Sequence, residues 1–187
     1  KRNQKYQTTS GFFSNYSVNM PILSDTNTLT NTYNYKIFKE LYENNVSTLS
    51  FLFKGASSLS NDDIKLSERL YIPGKRLRGF ETGKIGPKDG NDFIGGNYVS
   101  SINASTTVPT FLENLQNVDV VLFADAANIW GVDYDSSLDK NGIRSSVGVG
   151  IDWLTPVGPL TFTFAHPVTK KPTDIEQTFR FNIGTSF

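Results

Sequence analysis

Few side chains in this sequence could carry out chemistry. The chain has no cysteine, which removes disulfides, thiolate nucleophiles and sulfur-ligated metals. His166 is the only histidine, and without a second histidine or a nearby serine motif it completes neither a triad nor a metal site. The acidic stretches at 62–63 and 133–139 lack the ligand spacing of a calcium-binding loop. We therefore predict no enzyme, no metal and no cofactor.

The remaining chemical candidate is a basic, glycine-rich stretch, RLRGFETGKIGPKDG, at residues 76–90. The overlapping GKRLRG at 74–79 lacks the GxxxxGK[ST] pattern of a phosphate-binding loop. Lys+Arg 18 against Asp+Glu 18 leaves a formal net charge of zero, so the positive charge expected of a nucleic-acid-binding domain is also missing. A guanidinium in this stretch could instead bind a carboxylate of the protein through two parallel hydrogen bonds.

A period of two in the apolar residues predicts β-strands as the elements that hold this stretch. In the C-terminal FRFNIGTSF, four large apolar side chains fall on one face: Phe179, Phe181, Ile183 and Phe187. The segment IRSSVGVGIDWL at 143–154 alternates in the same way. We predict about eight strands, near residues 10–20, 31–42, 46–56, 96–108, 118–130, 142–154, 159–166 and 176–187.

The composition of the two strand faces favours a membrane-spanning barrel over a soluble sandwich. The polar face is mostly Ser, Asn, Gly and Thr, whereas the outer face of a soluble sandwich is rich in charge. The strands reach the roughly 10 residues that a tilted strand needs to cross a bilayer. Aromatic residues collect near predicted strand ends, where an interfacial girdle would lie: Tyr16, Tyr42, Tyr98, Trp130, Trp153 and Phe187. A soluble sandwich remains the alternative.

The longest connection, residues 57–94, is predicted to fold into the barrel. Connections of this length inside compact domains are usually functional or disordered, and this one carries more apolar bulk than a disordered segment: Leu70, Tyr71, Ile72, Leu77 and Phe80. An eight-stranded barrel has room inside only for its own side chains. The predicted strands must therefore belong to a wider barrel.

Several motifs resemble the BamA family of outer-membrane assembly factors. They are Arg78-Gly79-Phe80 with IGPK at 85–88 and GGN at 95–97, FADAANIW at 123–130, residues 142–167, and the terminal FRFNIGTSF. The resemblance implies a barrel of about 16 strands preceded by periplasmic POTRA domains, with residues 1–187 as its C-terminal half. The TamA and two-partner-secretion relatives remain alternatives, although the terminal phenylalanine favours the BamA family.

The resemblance also implies a site inside the lumen. The motif arginine corresponds to Arg78, and one of its carboxylate partners corresponds to Asp125. The family's second acidic partner lies on the strand that corresponds to 96–108, where NYVSSINASTTV contains no carboxylate. Asp152 shares the lumenal face in the alternation, so we expect either that it supplies this charge or that it is simply bathed in water.

The function implied by the resemblance is insertion of unfolded β-barrel precursors into the outer membrane through a seam at the terminal strand. Further implied partners are outer-membrane lipid and accessory lipoproteins, the latter held by the N-terminal domains. A strand edge that is not firmly closed can template another strand, which gives this function a physical basis. A passive outer-membrane pore or secretion channel is the alternative on the same scaffold.

Overall fold

Eight long strands form one antiparallel sheet in the computed structural model, which describes residues 8–21, 27–42, 45–60, 62–108, 117–139, 141–156 and 158–184. The eight strands follow one another across the sheet in chain order. Their bounds are β1 Gly11–Asn19, β2 Thr28–Tyr42, β3 Asn45–Ser58, β7 Tyr98–Val108, β8 Val118–Trp130, β9 Arg144–Thr155, β10 Gly158–Thr169 and β12 Phe179–Ile183. The predicted all-β class and the eight strands are confirmed.

The other elements are short and lie in the connections. They are the two-residue strands β4 Gly79–Phe80, β5 Lys88–Asp89, β6 Asp92–Phe93 and β11 Glu176–Gln177, and two 3₁₀ turns, η1 Leu66–Glu68 and η2 Ser136–Leu138. No helix in the described ranges is long and apolar enough to cross a membrane.

The two faces of the sheet differ as the alternation predicts. On one face, here called the lumenal face, the connection between β3 and β7 packs over Val99, Ala127 and Ile129. The opposite, outer face exposes large apolar side chains, among them Ile37, Leu49, Ile102, Leu122, Phe164 and Phe181. Strand pairing therefore puts these exposed apolar side chains on the outer face, which is the arrangement of a barrel wall that faces lipid.

The connection between β3 and β7, residues 59–97, is called the lumenal loop from here on. It spans slightly different residues from the predicted 57–94, because β3 continues to Ser58 and β7 begins at Tyr98. Its apolar side chains form a buried cluster with the wall: Ile72, Leu77, Phe80 and Ile85, each at most 3% exposed. The prediction that the loop folds inward is confirmed, and burial of these side chains is what holds it there.

The C-terminal strand differs from its predicted range of 176–187. Among the described residues of this range, Phe179–Ile183 pairs with β10, whereas the two residues of β11 leave the wall and pair with β4 in the lumenal loop. Phe179, Phe181 and Ile183 lie on the outer face, where the rings of Phe162 and Phe181 pack in a tilted arrangement with their centroids 4.9 Å apart. Phe187 lies outside the described residues.

Candidate functional site

Arg78 of the lumenal loop and Asp125 of β8 form a two-pronged ion pair. Arg78 Nε donates to Asp125 Oδ2 and its Nη2 donates to Oδ1, both at 2.7 Å, and its backbone N–H reaches Oδ2 at 3.1 Å. The guanidinium carbon also lies 3.4 Å from the ring centroid of Phe123. The Asp125 side chain is fully buried, so the pair is sheltered from the screening that weakens exposed pairs.

Asn103 lies on β7, the strand on which the resemblance implies a second carboxylate partner for Arg78. Its Nδ2 donates to Asp125 Oδ1 at 2.9 Å and to the backbone oxygen of Arg76 at 2.8 Å. An amide donor satisfies Asp125 without adding a second negative charge to a buried site. The sequence signal for this contact is an asparagine within the predicted strand NYVSSINASTTV, and it was missed because the resemblance implies a carboxylate there.

Arg76 reaches the wall through neutral oxygen atoms. Its Nη1 donates to Ser50 Oγ at 2.8 Å and to Asn103 Oδ1 at 3.3 Å, and its Nη2 donates to Asn34 Oδ1 at 2.8 Å. These acceptors lie on three neighbouring strands, β2, β3 and β7. Two arginines two residues apart thus tie one turn of the loop across four strands of the wall.

Gly79 and Phe80 fit a narrow space between the wall and β11. Gly79 has a φ of +90°, and a Cβ there would lie 3.2 Å from Ala165 Cβ, so both conformation and space favour glycine. Phe80 is fully buried. The backbone of this pair is bonded to Glu176–Gln177 as a two-stranded antiparallel piece.

The last strand is bonded to the lumenal loop through Arg180 as well. Arg180 Nη1 donates to the backbone oxygen of Gly74, and its Nη2 donates to that of Phe80, both at 2.9 Å. Just before β11, the N–H of Glu81 donates to the carbonyl of Ile175 at 2.9 Å. Gly79 and Phe80 of the motif, together with Gly74 before it and Glu81 after it, are therefore linked to the chain that enters and forms β12.

A second buried ion pair, between Arg144 and Asp174, holds the connection that leads to β11. Arg144 Nε donates to Asp174 Oδ2 at 3.0 Å and its Nη2 donates to Oδ1 at 3.1 Å, with both side chains at most 1% exposed. Asp174 Oδ1 also accepts from the N–H of Gly86 in the lumenal loop at 3.4 Å. Sequence reasoning missed this pair, although the alternation had placed Arg144 on the lumenal face.

A third pair, between Arg69 and Asp133, joins the base of the lumenal loop to the β8–β9 connection. The N–H of Ile64 donates to Asp133 Oδ2 at 2.8 Å, and Asn97 Nδ2 donates to the same oxygen at 3.2 Å. Burial alone would raise the pKa of the Asp133 carboxyl. The bonds from Ile64 and Asn97, with the charge of Arg69, outweigh burial and hold that pKa below its usual range.

Asp152 does not replace the missing acidic partner of Arg78. It lies on the lumenal face, accepts a hydrogen bond from Thr161 Oγ1 at 2.7 Å, and is directly opposite Asp119. Asp125, by contrast, is opposite Ser146, six residues earlier on β9. At about 3.4 Å per residue, this offset puts Asp152 roughly 20 Å from the Arg78 pair along the strand.

The ion pairs and arginine hydrogen bonds of this site can hold the lumenal loop in place. Within the described ranges, no group of three or more histidine, cysteine, aspartate or glutamate side chains is arranged to hold a metal ion. His166, at the loop end of β10, lies on the outer face away from the ion pairs. Arg78, Arg76, Arg144 and Arg180 all use their donors on protein acceptors, so the site is a set of fixed internal contacts.

Comparison with known proteins identifies the family. The Omp85 superfamily domain matches residues 1–187. The outer membrane protein assembly factor BamA of Neisseria meningitidis is 32% identical over 67% of this chain and 19% of its own length. That of Nitratidesulfovibrio vulgaris is 30% identical over 89% of this chain and 21% of its own length. A SAM50-like protein of Schizosaccharomyces pombe is 30% identical over 75% of this chain and 31% of its own.

The fold agrees with a crystal structure of BamA from Haemophilus ducreyi lacking POTRA domains 1–3. The TM-score is 0.85 at 26% sequence identity, covering 97% of this chain and 39% of that one. This chain spans about a fifth of the length of the BamA relatives, which are named as assembly factors and not as enzymes. The chain belongs to the Omp85 superfamily, as the C-terminal part of the barrel of a BamA-like outer-membrane protein.

Proposed function

We propose that the chain is the loop-bearing part of an outer-membrane insertase. In this role the protein assists the folding and insertion of β-barrel precursors through a seam at β12. Its partners are unfolded precursors, the surrounding lipid, and accessory lipoproteins held by N-terminal POTRA domains outside this chain. The names of the relatives, outer membrane protein assembly factors, support this class of function.

The observation that carries the proposal is the link between the lumenal loop and β12. This strand has only five residues, pairs with β10 on one side, and is an edge of the sheet in the described part of the chain. Arg180 and the β4–β11 pairing bind its beginning to the loop. A short strand held by a lumenal element is suited to exchange its outer-edge partner, because few ladder hydrogen bonds must break.

The insertion step needs no covalent chemistry. An unpaired strand edge presents N–H and C=O groups that a precursor strand can pair with as it leaves water. In the bilayer every backbone polar group must be satisfied, so pairing at the seam lowers the cost of entry for the precursor. Burial of apolar side chains in lipid supplies the driving free energy.

The role of the ion pairs in this proposal is to keep the loop in one position while the seam exchanges partners. Arg78 and Asp125 fix the motif to β8, and Arg144 and Asp174 fix the connection before β11. Because both anchors lie on strands that stay paired on both sides, the loop holds β12 against a stable part of the wall.

Reconstitution of the full-length protein in vesicles tests the proposal. An unfolded eight-stranded precursor should fold several times faster into these vesicles than into empty ones, without a steady ion current across planar bilayers. A steady current with unassisted precursor folding would favour the alternative, a passive pore or secretion channel. The lumenal loop argues against a wide permanent opening, because its apolar cluster and arginines occupy the face that would line the pore.

A further inference from the structure

In the described strands, the outer face of the sheet carries a single charged side chain. Among lysine, arginine, aspartate and glutamate in the eight long strands that the structure describes, only Lys39 has the outward register. Lys39 lies on β2 opposite Ser47, two residues from the outward Ile37, and is exposed. Lys36 and Lys54 have the opposite register and face the lumen. A charge on a lipid-facing surface is costly, so its position calls for an explanation.

Lys39 lies beside an apolar depression of about 520 Å³ on the same face, here called the outer trough. Ile37, Leu49, Ala104 and Ala124 stand directly opposite one another across β2, β3, β7 and β8. The two alanines leave space where the other side chains project, and Leu122 bounds the trough on β8. Small residues in the middle of a row of large ones thus form a groove running over the sheet.

Toward the β2–β3 hairpin, where Leu41 also lines it, the trough gains polar side chains. Lys39, Ser47 and Thr106 form the next outward row, and Ser47 Oγ lies 2.9 Å from Thr106 Oγ1. This row is three residues from Tyr42, the end of β2, which corresponds to about 10 Å. The hairpin is at the opposite end of the wall from the lumenal loop. The groove therefore has an apolar body and a cationic end near one membrane surface.

We propose that the outer trough binds one anionic phospholipid, with an acyl chain over Ala104 and Ala124 and the phosphate against the Lys39 ammonium. A protein segment is a poorer occupant. Ile37, Leu49, Ala104 and Ala124, which form the body of the trough, are paired on both sides within the sheet, so this part offers no free backbone groups to a peptide. An acyl chain needs no hydrogen bonds, and one phosphate complements one lysine. This inference concerns the barrel wall and does not depend on the insertase role.

Photocrosslinking in lipid nanodiscs tests the site in the full-length protein. The discs contain equal amounts of phosphatidylglycerol and phosphatidylcholine, and a trace of either lipid carries a diazirine in its acyl chain. Crosslinks should concentrate in the peptides that contain Leu49, Ala104 and Ala124. Phosphatidylglycerol should be preferred by about fivefold, the effect expected of one lysine near an anionic headgroup.

Two pairs of variants separate a site from a general lipid contact. Lys39→Gln should abolish the preference for phosphatidylglycerol, whereas Lys36→Gln, on the same strand but facing the lumen, should keep it. Ala104→Leu should lower crosslinking in the trough severalfold, whereas Ala126→Leu, also outward but outside the trough, should not. An even spread of crosslinks over the outer face, or a preference that survives Lys39→Gln, would show that Lys39 only reaches toward the membrane surface and would overturn the proposal.

Discussion

Arg180, in the last strand, donates a hydrogen bond of 2.9 Å to the backbone oxygen of Phe80 in the lumenal loop. The same guanidinium reaches the backbone oxygen of Gly74 at 2.9 Å. Two acceptors from different turns of the loop are thus held by one side chain of β12. Any movement of the loop must either carry β12 with it or break these bonds.

Replacing Arg180 by glutamine should loosen β12 without unfolding the wall. Bonds to a charged group are worth about 1.5 to 3 kcal/mol, so amide hydrogen exchange over 176–183 should accelerate about tenfold or more. Exchange in β8 should be unchanged. Asn182→Ala is the control, because Asn182 has the same lumenal register on the same strand. Equal acceleration in both variants would mean that Arg180 has no special part in holding the strand.

Breaking the Arg78–Asp125 pair from either side should be costly and non-additive. Removal of one partner of a buried pair typically costs about 3 to 5 kcal/mol, so Arg78→Ala and Asp125→Ala should each lower the free energy of unfolding and slow precursor folding. The double variant should be clearly less harmful than the sum. Arg78→Lys is the matched control, since it keeps the charge but loses the two-pronged geometry. Strictly additive losses would contradict the pairing.

Asn103→Ala should destabilise the protein by about 1 to 3 kcal/mol, because it removes one of the donors to the buried Asp125 carboxylate and the Asn103 donor to the backbone oxygen of Arg76. Denaturant unfolding of the barrel in detergent measures this change in the free energy of unfolding. Ser105→Ala is the control on the lumenal side of the same strand. If the two substitutions cost the same, the amide of Asn103 contributes nothing beyond ordinary packing.

Protonation of Asp133 at low pH should loosen the part of the lumenal loop that it contacts. Its folded pKa is depressed below the ordinary value of 3.8, so its contribution to stability is present above that pH and is lost as pH falls through the folded value. Limited proteolysis of residues 59–97 should therefore increase below about pH 4. Asp133→Asn should be cut more readily at neutral pH and should lose most of the acid dependence. Asp92→Asn, in the exposed β5–β6 hairpin, should behave like the unchanged protein.

The strands of the barrel wall could be predicted from sequence because the alternation of side chains between two faces depends only on neighbouring residues. A period of two assigns each side chain to a face, and the alternation around Phe181 or Val147 needs no knowledge of distant residues. The inward fold of the loop followed from its apolar content, now seen in Leu77 and Phe80. The pairing of Arg78 with Asp125 came from family resemblance, not from spacing.

The remaining contacts could not be predicted because alternation gives a face but no position along the strand. Asp152 has the same register as Asp125, yet it lies six residues further along β9 from the position opposite Asp125. Arg180 and Phe80 are 100 residues apart in sequence, and their contact depends on how the loop returns to the wall. The division of the last strand into β11 and β12 has the same cause, since pairing with β4 displaces Glu176 from the sheet.

Disulfide scanning between β12 and a stalled precursor in the full-length protein measures whether the lumenal loop positions β12 for strand exchange. Cysteines introduced at positions 181 and 183 should crosslink to the terminal strand of the precursor in one register, and the yield should fall severalfold in Arg78→Ala. Folding of the precursor at the normal rate with no crosslink to β12, or yields that Arg78→Ala leaves unchanged, would contradict the claim that the lumenal loop positions this strand for exchange.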